Sequence, residues 1–172
     1  MLKIPYRLVQ RLILAGRTLP SQKDWLIAIA ILILFALIYL PIGFSLGFLQ
    51  VQPKFTWHIV LSVIMATFFM PGLVEEGIFR VLLIPHPTES VSAKNLWISV
   101  GISWILFMGY HIHPFTPAFF KESAFLIGAG LLGVGCTIAY LQSGSLWTPV
   151  VIHWLSVVAW LILLGGLEKF EI

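Results

Sequence analysis

The sequence predicts an all-α fold, a polytopic transmembrane helical bundle of about five spans with a basic N-terminal interfacial helix. Three observations predict it. The composition is 59% apolar and only 10% charged, with a mean hydropathy of +1.00, whereas a soluble domain carries about 25% charged residues. The apolar residues fall in runs of about 16–20, near the length that crosses about 30 Å of hydrocarbon. Lys3, Arg7, Arg11, Arg17 and Lys23 all precede the first long run, an asymmetry that places the N-terminus in the cytoplasm. A length of 172 residues suits one compact bundle.

Residues 2–19 set Leu2, Tyr6, Val9, Leu12, Ile13 and Leu14 among these basic residues and stop at Pro20. This mixture predicts a short helix lying on anionic lipid, or a plain juxtamembrane leader. A first span covers residues 25–40, and the apolar run can continue past Pro41 and Gly43 towards Leu49. Gln50-Val51-Gln52-Pro53-Lys54 is a polar connection. The second run covers residues 57–83 and is interrupted by Pro71-Gly72, where the missing proline N–H favours a kink. Pro85-His86-Pro87 ends it, and residues 87–95 form its loop.

A third span covers residues 96–111. The prolines at 114 and 117 prevent residues 112–120 from forming one regular helix. A fourth span covers residues 123–141, residues 142–145 form a tight polar turn, and residues 146–164 form the fifth. Five spans from an inside N-terminus put the C-terminus outside. In the fourth span Ala129, Gly133 and Thr137 recur every four residues, beside Gly128, Gly130 and Gly135. Small residues at that spacing let neighbouring helices approach closely in lipid. The chain thus divides into a basic interfacial segment (1–24), a helical transmembrane domain (25–166) and a short tail (167–172).

Several function classes are disfavoured. The basic residues are few and lack a stacking platform, so nucleic acid is not an expected partner. The single cysteine, Cys136, cannot close an intramolecular disulfide and reads as a packing residue. The N-terminus does not match a signal peptide, because no small-residue cleavage site follows the apolar run. No internal repeat suggests a transporter.

The chemistry concentrates in Pro71-Gly72-Leu73-Val74-Glu75-Glu76-Gly77-Ile78-Phe79-Arg80. An ionisable side chain near a bilayer centre costs at least about 2.5–3.5 kcal/mol, so three within six residues require partners. On a helix Glu76 and Arg80 share a face and can pair. Glu75 points about 100° away and lacks a local partner, the profile of a general base. The competing reading is an interfacial ion-pair cluster. His111 ends the third span, one turn after Phe107. His153 lies within the fifth span, with no charged neighbour in sequence, and needs a hydrogen-bond partner. His58, His86 and His113 read as interfacial or helix-end polar groups.

Glu75-Glu76-x-x-x-Arg80, then Phe107-x-x-x-His111, then His153 after Trp147 and Pro149, resemble the three motifs of the CAAX-protease and bacteriocin-processing family. That family comprises glutamic-type intramembrane endopeptidases related to the Ras-converting enzyme, and the resemblance covers about residues 70–160. It implies that Glu75 activates water, His111 assists it, Glu76 and Arg80 support that pair, and His153 stabilises the oxyanion. It further implies a peptide or lipidated-peptide substrate, membrane lipid as a partner, no cofactor or metal, and a bacterial plasma membrane. The family often carries Asn or Asp four residues after the last histidine; this chain has Val157, and Ser156, about 60° from His153 on the helix, could offer a hydroxyl in its place. Oligomeric state is not legible.

Two other readings stay open. Glu75, His111, His113 and His153 could ligate a metal, although no HExxH is present, or the chain could be a non-catalytic scaffold that keeps the site as a polar core. The spans also impose a geometric condition. Counted from one side, Glu75 lies ~13 Å deep, His153 ~10 Å and His111 ~22 Å along its helix at 1.5 Å per residue. They meet only if the third helix starts outside the bilayer and stops at mid-depth. The proline-broken segment after it would then line a cavity.

Overall fold

A computed structural model describes residues 3–170; Leu2 of the interfacial segment, and Glu171 and Ile172 of the tail, lie outside the described residues. The expected all-α architecture is found: six principal helices, α1 (Lys3–Arg17), α2 (Gln22–Ser45), α3 (Trp57–Leu82), α4 (Ala93–His111), α5 (Ser123–Ser143) and α6 (Trp147–Leu163). Helices α2, α3 and α5 are long and apolar enough to cross a membrane, and α6 is a shorter apolar helix. Exposed leucines and isoleucines run along α2 (Leu26, Ile29, Ile33, Leu34 and Leu37). Such a surface suits acyl chains and not water. The protein is an integral membrane protein.

Local chemistry sets the helix ends. Ser21 and Asp24 form a capping box that starts α2, satisfying amides that a helix N-terminus leaves unpaired. The helix then continues through Pro41 to Ser45, further than residue 40. Ser92 caps α4 through the Asn95 amide. Gly144 closes α5 with φ 65°, a backbone region that glycine enters without steric cost. A Cβ there would also meet His86 Nε2 at 2.9 Å. At the far end of α6 the carbonyls of residues 162–164 accept from the amides of Lys54, Gln52 and Gln50. The polar connection between α2 and α3 therefore satisfies a helix terminus that would otherwise be left unpaired.

Helix α5 packs along α2, α4 and α6, and the small-residue stripe explains how. A Cβ on Gly128 would fall 2.6 Å from the Tyr39 ring of α2, and one on Gly135 2.8 Å from Ile31. Helix α3 is irregular. Met70 leaves helical geometry (φ −135°, ψ 113°) just before Pro71, and residues 68–73 and 77–82 are wound as π-helix. A π-wound turn re-aims the side chains that follow it and recurs at functional sites. In the proline-broken segment, residues 112–120, most positions up to 118 are exposed, with Phe115 90% accessible; the segment lines the central cavity through Phe120 at its end. The interfacial expectation for His86 also needs revision: it is buried, with Nε2 bonded to the Gly144 carbonyl at 2.9 Å and Nδ1 to Thr88 Oγ1.

Candidate active site

The irregular α3 presents Glu75 and Glu76 to different surroundings. Both are buried. Glu76 is fully enclosed and serves two partners: its Oε2 lies 3.2 Å from Arg80 Nε, and its Oε1 2.6 Å from His153 Nδ1. The pairing of Glu76 with Arg80 expected from their spacing is present. The contact with His153 was not legible in the sequence. Glu75 Oε2, in contrast, has no hydrogen-bond partner in the protein, and Glu75 lines a cavity.

That cavity measures about 610 Å³, inside the range of about 300–1,000 Å³ found for small-molecule sites. Glu75, His111 and His153 all line it, together with Leu32, Phe35, Leu132 and other apolar side chains of α2, α5 and α6. Side chains from α3, α4 and α6 thus reach one space. His111 sits in an aromatic enclosure, its ring centroid 4.6 Å from Phe107 and 5.5 Å from Phe125.

Hydrogen-bond partners set the ring tautomers. His111 Nδ1 is 2.8 Å from the Phe107 carbonyl. A carbonyl only accepts, so Nδ1 carries the hydrogen and Nε2 keeps its lone pair. An ionised Glu76 likewise only accepts, so His153 donates from Nδ1. Donation from its Nε2 as well would require the doubly protonated ring.

Arg80 shows how a fully buried cation is held. Its Nη2 donates to the Gly133 carbonyl at 3.0 Å, and its guanidinium lies 4.4 Å above the Phe107 ring. Neither contact has a direct sign in the sequence. A signal existed in Gly133 of the small-residue stripe, because an arginine has more donors than one carboxylate can meet. A Cβ on Gly133 would sit 3.1 Å from the Phe107 ring and 3.3 Å from Arg80 Nη2. Ser103 of α4 donates to the Phe79 carbonyl, fixing the helix between Glu76 and Arg80.

One expectation near His153 changes. The Ser156 hydroxyl lines the cavity, but it donates to the Ile152 carbonyl at 2.8 Å, so its one hydrogen is already engaged. Val157 also lines the cavity and offers no donor. For a metal, the described residues able to share one are Glu76, Cys136 and His153, whose ligand atoms lie within 4.8 Å of one another. This is not the set of Glu75, His111, His113 and His153; His113 is exposed. A dication at the former group would compete with Arg80 for the same carboxylate.

Fold and site together define a polytopic helical membrane protein with a carboxylate–histidine site walled in by apolar side chains. Its family follows from a family profile, described as type II CAAX prenyl endopeptidase, Rce1-like, that matches residues 55–159, more than half of the chain and the stretch that holds all five candidate residues. The chain belongs to this family of CAAX-type membrane endopeptidases. No curated protein and no solved structure matches it.

Proposed function

We propose that the protein is a metal-independent glutamic endopeptidase that hydrolyses a peptide bond near the membrane surface. The observation that carries this reading is the shared cavity, lined by Glu75 with no hydrogen-bond partner at Oε2, His111 with Nδ1 held by the Phe107 carbonyl, and His153 backed by Glu76. A water held between Glu75 and His111 loses a proton to this pair as its oxygen attacks the substrate carbonyl. His153, as the imidazolium, donates from Nε2 to the oxyanion that forms. When the C–N bond breaks, the stored proton passes to the departing amine. No covalent nucleophile or cofactor is needed.

Glu76 and Arg80 are positioning residues in this scheme, acting on the reaction through His153. The apolar remainder of the cavity supports a substrate with a lipid or apolar segment beside the scissile bond. Residues 25–166 form the catalytic unit, and the basic N-terminal segment supports a cytoplasmic N-terminus in a bacterial plasma membrane. The test is purified, reconstituted protein offered a diverse peptide library. Wild-type protein is expected to release defined fragments, and Glu75→Ala and His111→Ala to release none; cleavage surviving both changes refutes the proposal.

A further inference from the structure

Helix α1 has three distinct faces at about 100° per residue. Leu8, Arg11 and Ala15 turn towards the bundle. Ala15 is fully buried, its carbonyl accepts from the Leu146 amide at 3.0 Å, and the Gly16 carbonyl accepts from Trp147 Nε1 at 2.9 Å. Arg11 places Nε and Nη2 on the two oxygens of Glu89, at 2.6 and 2.8 Å, while Nη1 donates to the Leu82 carbonyl at 2.9 Å. On the adjoining face Val9, Leu12 and Ile13 are 54%, 39% and 49% exposed. Arg7, Gln10 and Arg17 are exposed along the third.

Position and charge identify what covers the open faces. Residues 18–21 alone separate α1 from α2, a membrane-spanning helix, so α1 lies where that span leaves the bilayer. No acidic residue occurs between Lys3 and Arg17. A docked helix with an apolar strip beside a strip that carries Arg7 and Arg17, with Gln10 and Leu14 between them and no acid, matches the boundary between acyl chains and anionic headgroups. The inward face has a separate consequence. Leu82 is the last residue of α3, and its carbonyl is among those that a helix end leaves unpaired. Arg11 takes that carbonyl and so fastens the end of the helix that carries Glu75, Glu76 and Arg80.

We infer that α1 is a receptor surface for anionic phospholipid, coupled by Arg11 to the active-site helix. Val9, Leu12 and Ile13 enter the acyl layer, Arg7 and Arg17 take lipid phosphates, and a seated α1 steadies residues 82–90. Lipid binding stands apart from the proposed function; only an effect on turnover rests on it.

Hydrogen exchange on the full chain in nanodiscs tests the coupling, comparing phosphatidylcholine alone with a phosphatidylcholine–phosphatidylglycerol mixture. Each arginine at an anionic surface contributes about a fivefold factor, so wild-type amides in residues 8–17 are expected to exchange up to about 25-fold more slowly with phosphatidylglycerol. Residues 82–90 should slow with them. Arg7→Gln with Arg17→Gln should remove the lipid dependence in both segments. Arg11→Gln should keep it in α1 and lose it at residues 82–90, and Glu89→Gln, which leaves the Leu82 contact, should weaken transmission if Arg11→Gln does not fold. Exchange in α1 that ignores lipid composition overturns the inference, as does an undiminished response at residues 82–90 in Arg11→Gln. Exchange that follows the lipid while no peptide is cleaved under any condition upholds the inference and refutes the proposed function.

Discussion

Replacing Glu76 by glutamine strands Arg80. The guanidinium is 1% exposed and Glu76 not at all, and its contacts besides Glu76 are the Gly133 carbonyl, the Phe107 ring and a weaker electrostatic one with Glu75. Breaking a buried ion pair by removing one partner costs about 3–5 kcal/mol, because the other charge stays buried without compensation. Glutamine keeps a carbonyl oxygen near Arg80 Nε, so we expect the lower end, about 3 kcal/mol. Removing both charges should behave differently. Glu76→Leu with Arg80→Met fills similar volume with apolar atoms and should return stability to the wild-type level or up to about 1–4 kcal/mol above it. Both proteins nevertheless lose the carboxylate at His153 Nδ1, so neither should regain turnover. Equilibrium unfolding in detergent micelles, followed by tryptophan fluorescence beside a cleavage assay, reads both quantities. Wild-type stability in Glu76→Gln would refute the burial argument, and full turnover in the double variant would refute the positioning role of Glu76.

Three further outcomes are expected. Val157→Asn places a carboxamide one turn beyond His153 and should raise turnover by up to about 10²-fold, at about 1–3 kcal/mol of stability for an imperfectly paired polar group; unchanged turnover would mean that the oxyanion draws its donors from elsewhere. Dialysis against a chelator should leave turnover intact, whereas loss restored by zinc would point to metal chemistry. Hydrogen bonds from Arg11 hold the Glu89 carboxyl below its ordinary range. A lowered folded-state value stabilises the docked α1 above the ordinary glutamate pKa of about 4.3, and that contribution is lost as the pH falls through the folded value. Proteolysis of α1 should therefore be steady near neutrality and accelerate only under acid; an equal onset in Glu89→Gln would remove Glu89 as the cause.

Hydrophobic run length made the helices legible, because each run must bury or immerse its own length. Spacing along one helix made the Glu76–Arg80 pair legible. Contacts between helices were not: Glu76 with His153, Arg80 with Gly133 and His86 with Gly144 join residues more than fifty positions apart. Composition does not encode that register, although the glycine stripe marked where approach would be closest. Ser156 shows the opposite error. It is on a plausible face, yet a hydroxyl in a helix can bond the preceding turn's carbonyl, and helix angles alone do not reveal that competition. Residues 112–120 likewise show that a proline-broken segment next to a site can reach it at one end, through Phe120, while most of it stays exposed.

The most direct test of the central claim is the turnover of one cleaved peptide by Glu75→Gln, measured beside its stability. Glutamine preserves shape and removes a carboxylate whose Oε2 has no protein partner. Turnover should fall by about 10²–10⁴-fold while stability holds or rises. Turnover within a few-fold of wild type in a folded Glu75→Gln protein would contradict the account.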